Sequence, residues 1–188
     1  MRTLAALVLV LSLAGLASVS QSDYLSAKRK FQALDKQPPK PGTRVTLTSA
    51  EINAYVQTEL PRVGPPGVRN PSVELLSGNT ATGRALIDFL KLRSAQGKST
   101  NWLMRKLFEG EREVAVTTRI RSGGGQATVD LERVEISGIA IEGATLDFII
   151  ENYLKPNYPD AKIGQPFALH KHVDRIEGAR GVAYIITR

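Results

Sequence analysis

The sequence predicts an α+β domain: a curved antiparallel sheet of hairpins wrapped around a long apolar helix, with a second, amphipathic helix on its N-terminal side. Three observations carry this. Two segments place apolar residues at helical spacing, and each is followed by a proline. Several segments of alternating apolar and polar residues are joined by short Gly/Asn/Ser turns, the pattern of hairpins rather than of βαβ crossovers. One of these strands also changes phase midway, with Val129 and Leu131 apolar at odd positions and Val134 and Ile136 at even ones. Such a switch implies a β-bulge near Glu132 and Arg133, or a crossing between sheet surfaces. Bent strands are what a wrapping sheet requires.

Taken in order, residues 1–20 read as an export signal. Arg2 and the amino terminus form a positive start, residues 3–16 are an uncharged apolar run, and small residues follow. Two cleavage frames fit, after Ala17 or after Ser20. The alternative is an uncleaved anchor, since residues 3–19 are seventeen uncharged positions, the lower edge of a membrane span. The clustered small residues favour cleavage, and either way the remainder is expected outside the cytoplasm, periplasmic or secreted. Residues 21–43 read as a basic, proline-rich linker. Within it, residues 24–34 allow a short basic helix, and Pro38-Pro39-Lys40-Pro41-Gly42 favours an extended spacer.

A single α+β domain is expected over residues 44–188. Its first helix covers residues 47–60, with Thr48 and Glu51 as a capping box and Leu47 and Ile52 as a hydrophobic staple. Ile52, Tyr55, Val56 and Leu60 form its apolar stripe, and Pro61 is expected to end it. After the Gly64–Gly67 loop, strands are predicted at 72–76 and 80–92 around a Ser77-Gly78-Asn79 turn. Residues 98–109 break the pattern with Trp102, Leu103, Leu107 and Phe108. This cluster reads as a flap over the core, or as the rim of an apolar groove or a membrane-touching tip. Strands follow at 112–121 and 126–137 around a Gly123-Gly124-Gly125 turn, then a short one at 139–142. The second helix covers 145–155, with Leu146, Ile149, Ile150, Tyr153 and Leu154 at helical spacing and Phe148 widening the stripe. So apolar a helix is expected to be buried on most sides. Strands at 167–177 and 182–187 close the chain as a hairpin.

Composition narrows the function classes. No cysteine is present, which excludes thiol catalysis and thiolate metal sites. Without Arg2, 24 basic and 18 acidic residues leave a net charge of +6. That excess is diffuse apart from Lys28-Arg29-Lys30, Lys36 and Lys40, and reads mainly as solvated surface. Outside the cytoplasm it suits anionic lipid or envelope polymer better than nucleic acid. No nucleophile elbow, phosphate-binding loop, dinucleotide fingerprint or His-Glu-x-x-His motif occurs, and no cofactor is expected. His170 and His172 fall on one face of the 167–177 strand with Asp174 continuing the row. Only two histidines exist, so the face reads as exposed polar surface rather than a zinc site. Asp88 reads as the outward side of an edge or barrel position, without a carboxylate partner for glycosidase chemistry.

The run from Leu47 to Val56, with its Thr48-Ser-Ala-Glu51-Ile52-Asn53 signature, resembles the opening helix of YpmS-like and LmeA-like bacterial envelope proteins. The stretch from Val129 to Leu154 is similar to their later portion, where a strand leads through a Gly-centred kink and a second short strand into an apolar helix. Gly143-Ala144 stands where those proteins often have a proline, and the Trp102 segment has no clear counterpart. The resemblance implies a fold of the tubular lipid-binding type and an extracytoplasmic phospholipid or other acyl-chain ligand.

The expectation is therefore an exported, non-enzymatic, lipid- or apolar-ligand-binding domain of the cell envelope, in possible contact with a membrane surface. Its ligand space would be lined by Ile87, Phe89, Val114, Val116, Ile120 and Val129 from the sheet and by Leu146, Ile149, Ile150 and Leu154 from the helix, with Trp102 and Leu107 at the rim. The alternative is a structural or interaction module with a filled core. A hydrolase resting on His170 and Asp174 is a weaker third reading.

Overall fold

The computed structural model describes residues 20–36, 39–95, 109–156 and 163–188; the leader and the Trp102 segment lie outside them. Helix α1 (Gln21–Lys36) comes first; it contains the short basic helix expected at 24–34 and extends it at both ends. It packs along α2 (Ser49–Val63), with Ala27 fully buried and Tyr24 and Leu34 nearly so. The basic surface of the helix masks this sparse apolar face in the sequence. Glu51 locks the two helices together. Its carboxylate accepts hydrogen bonds from Lys30 Nζ at 2.5 Å, Ser26 Oγ at 2.6 Å and the Thr48 amide at 2.9 Å. With Thr48 Oγ1 accepting from the Glu51 amide at 3.2 Å, the expected capping box is present. The helix continues through Pro61 to Val63, three residues past the expected last residue Leu60, and closes where the Gly64 amide donates to the Leu60 carbonyl at 2.7 Å.

The strands form two sheets rather than one sheet wrapped around a helix, and every pairing between named strands is antiparallel. The smaller sheet joins β1 (Arg44–Thr48), β9 (Val182–Thr187) and β8 (Val173–Ala179), in that order. The larger runs β2 (Val68–Leu75), β3 (Thr80–Asp88), β4 (Glu111–Gly123), β5 (Gln126–Ile136) and β6 (Ile139–Ala140), with β7 (Phe167–Ala168) paired to β5. It does not close into a barrel. Asn53 of α2 docks on β2 as a strand would. Its amide donates to the Val73 carbonyl and accepts from the Val73 amide, both at 2.8 Å.

The small sheet sits against the turns of the large one. Asn79, in the β2–β3 turn at φ +59°, accepts from the Gly178 amide at 2.5 Å through Oδ1. Asparagine suits this left-handed position because its short polar side chain finds a partner there. Ser122 Oγ accepts from the Ile176 amide at 2.8 Å and donates to its carbonyl at 2.9 Å. Two apolar clusters result. One lies between α1, α2 and the small sheet around Ala27, Leu47 and Ile185; the other lies on the large sheet around Phe89, Leu92, Val114 and Tyr153.

Three further differences from expectation matter for the site. The strand expected to reach residue 92 ends at Asp88, and α3 (Phe89–Ala95) begins there. Asp88 caps it, Oδ1 accepting from the Lys91 amide at 3.0 Å, so its role is structural rather than that of an edge position. The second predicted helix is α4 (Gly143–Ile149) followed by a π-helical turn (Ile150–Leu154). It is not enclosed by sheet: only Tyr153 is buried, and Phe148 is 40% exposed. Finally, β8 starts at Val173, which places His170 and His172 in the turn before it instead of on a strand face.

Candidate functional site

An apolar cavity of about 300 Å³ lies between the large sheet and the two short helices α3 and α4. Strand alternation builds its floor. Val114, Val116 and Thr118 of β4 point inward at period two, and Ile87 of β3 and Val68 of β2 extend the surface sideways. From β5 come Val129, Leu131, Val134 and Ile136, residues of both phases on one face. The bulge makes this possible: Thr117 pairs with Arg133 and Thr118 with Leu131, leaving Glu132 as the extra residue. The phase switch visible in the sequence thus lays four apolar side chains along a single cavity wall.

The opposite wall is helical. Phe89 and Leu92 come from α3, and Leu146, Ile149, Ile150, Tyr153 and Leu154 from α4 and its π turn. The Lys155 amide donates to the Ile150 carbonyl at 2.9 Å, the i to i+5 bond that defines the turn. Phe89 and Tyr153 meet edge to face with centroids 5.1 Å apart, joining the two helices across the top of the cavity. Pro65 and Ile163 complete the described lining, in which Thr118 and Tyr153 carry the only polar side-chain groups.

The outward face of the same sheet is ionic. Arg119–Glu132 at 2.7 Å, Arg121–Asp130 at 2.6 Å and Arg133–Glu135 at 2.6 Å run along β4 and β5. Hydrogen bonding from Arg121 holds the Asp130 carboxyl below the usual carboxylate range. Burial alone would raise the Asp88 carboxyl; the hydrogen bonds from the Lys91 amide and ammonium outweigh it and hold the group below its ordinary value. The α3 cap is therefore an ionised carboxylate.

Of the residues expected to line a ligand space, Ile87, Phe89, Val114, Val116, Val129, Leu146, Ile149, Ile150 and Leu154 line this cavity. Phe89 arrives from a helix N-terminus instead of from the sheet. Ile120 continues the β4 row toward the β4–β5 turn and is not part of the lining, a correction caused by the small sheet docking at that end. Trp102 and Leu107 lie outside the described residues. Leu92 and Tyr153 join the lining beyond those expected; the Asp88 cap and the helical spacing around Tyr153 are the signals that point to them.

A second cavity, of about 410 Å³, opens between α1, α2 and the small sheet, lined by Phe31, Leu34, Tyr55, Val173 and Ile176 together with Asp35 and His170. His170 Nε2 lies 3.4 Å from Asp35 Oδ1, and the two imidazole rings are 5.6 Å apart. Burial, then Lys171 and His170, hold the His172 ring below the usual imidazole range. Among the described residues no three His, Asp or Glu side chains are grouped to hold a metal ion, and no helix is long and apolar enough to cross a membrane. A hydrocarbon chain in this second space would desolvate the Asp35–His170 pair, whereas the first makes no such demand. No protein-family model matches the chain, and no curated protein is similar to it.

Proposed function

We propose that the domain holds the hydrocarbon part of a lipid, or a comparable apolar molecule, in the cavity between the large sheet and α3–α4. It does so without catalysing a reaction, in the extracytoplasmic space to which the leader would send it. The observation that carries this reading is the continuous apolar wall drawn from four strands and two helices around about 300 Å³. That volume falls at the lower end of the range of roughly 300–1,000 Å³ for small-molecule sites.

Desolvation supports an apolar occupant: an alkyl chain laid against this wall would remove apolar surface from water at roughly 25 cal/mol per Å². Water gains little in such a space, because it needs two to four polar partners and the wall offers Thr118 and Tyr153. The resemblance to YpmS-like and LmeA-like envelope proteins points the same way and is part of the proposal.

The mature protein, purified from cells without detergent, should release lipid on organic extraction, detected by mass spectrometry in near-stoichiometric amount. An extract without lipid, together with no uptake of a fluorescent acyl probe, would favour the competing reading of a structural or interaction module.

A further inference from the structure

Arg112 is the one arginine of β4 and β5 that shares the cavity face. It precedes Val114 and Val116 by two and four residues on β4, and it pairs in register with Ile87, which itself lines the cavity. Residues directly opposite in an antiparallel pair point to the same side, so both relations put Arg112 on the cavity face, one inward position beyond Val114 and just outside the lining itself. Its counterparts Arg119, Arg121 and Arg133 point outward, and each holds a carboxylate within 2.7 Å. The neighbouring carboxylates Glu111 and Glu113 are also on the outward face, where they pair with Arg69 at 2.9 Å and Arg84 at 3.8 Å. Among the described residues Arg112 alone of this group has neither ion pair nor hydrogen bond, although it is half-buried.

We infer that the occupant of the cavity is an anionic amphiphile whose carboxylate or phosphate headgroup is bound by Arg112. This inference rests on the proposed acyl-chain site and specifies its ligand class. A guanidinium presents five N–H donors in a planar fork, which matches a carboxylate or phosphate with two parallel bonds. The described lining below it contains no charge, so the cavity selects the chain and Arg112 selects the head. A neutral amphiphile of equal chain length would leave those donors to water alone.

The test compares dodecanoate, dodecyl phosphate and dodecanol as competitors of a fluorescent acyl probe, using the mature wild-type protein, R112Q and R112K. Wild type should bind the two anions roughly tenfold or more tighter than the alcohol, the scale of a charged hydrogen bond. R112Q should bind all three about as wild type binds dodecanol, and R112K should recover part of the preference. Unchanged urea midpoints for both variants would show that the fold is intact. Equal wild-type affinity for acid and alcohol, or a preference that survives in R112Q, overturns the role of Arg112 and leaves the cavity reading standing. Competition by inorganic phosphate as strong as by dodecyl phosphate makes Arg112 a bare anion site and overturns the amphiphile. Failure of all three, dodecanol included, removes the acyl-chain site and this inference with it.

Discussion

Replacing Glu51 by glutamine should destabilise the protein near neutrality and remove much of its acid sensitivity. Glu51 is only 5% exposed, yet its carboxyl is held at about 2 against an ordinary value of 4.5. Burial by itself would raise it; hydrogen bonds from Lys30, Ser26 and the Thr48 amide reverse the direction. A displacement from 4.5 to about 2 corresponds to about 3 kcal/mol, at roughly 1.4 kcal/mol per pH unit. Because the folded value is the lower one, this stability is fully present above 4.5 and is lost as pH falls toward 2. Urea unfolding of wild type and Glu51→Gln, followed by far-ultraviolet circular dichroism across that range, gives the difference directly. Wild type should lead by up to about 3 kcal/mol near neutrality, the gap closing as Glu51 protonates. Other depressed carboxyls, Asp88 and Asp130, are common to both proteins and cancel. Parallel curves would refute the reasoning, and with it the role of Glu51 in docking α1.

Asp88→Ala should cost roughly 0.5–2 kcal/mol through loss of the α3 cap, measured by the same unfolding assay. Ile149 faces the cavity and is half-buried, so Ile149→Ala should cost about 2 kcal/mol or less, the low end for an aliphatic truncation. A loss well above that would mean that α4 is packed as core. Calorimetric titration with zinc should show no stoichiometric site; binding that disappears in His170→Ala would reopen a catalytic reading of that turn.

Where local chemistry and tertiary packing agree, the sequence was legible. The Thr48–Glu51 capping box, the Gly78-Asn79 turn and the bulge at Glu132 each follow from a few neighbouring residues. The phase switch signals the bulge, but of the four β5 residues that the bulge lays along the cavity wall only Val129 is among the expected lining residues. Features that depend on what lies opposite were not legible. α1 shows a mean charge suited to a linker, and its docking depends on Glu51, a carboxylate that attracts Lys30 from another element. Residues 87–92 are apolar enough for strand or helix, and Asp88 decides the matter only once read as a cap. The apolar content of 145–155 suggested burial on all sides, but the open sheet covers one face, and the π turn keeps Ile150, Tyr153 and Leu154 on it. Alternation puts the two histidines on a strand face, but β8 starts only after them.

The most direct test of the acyl-chain site is saturable binding of a fluorescent acyl probe to wild type and to Val116→Trp. Val116 stands on the cavity floor. An indole there fills the space at an overpacking cost of about 1–3 kcal/mol, small enough for the fold to persist by circular dichroism. The account predicts one saturable site in wild type and its loss in folded Val116→Trp. Undiminished binding in Val116→Trp, above all if it is abolished instead by Val173→Trp in the second cavity, would contradict it.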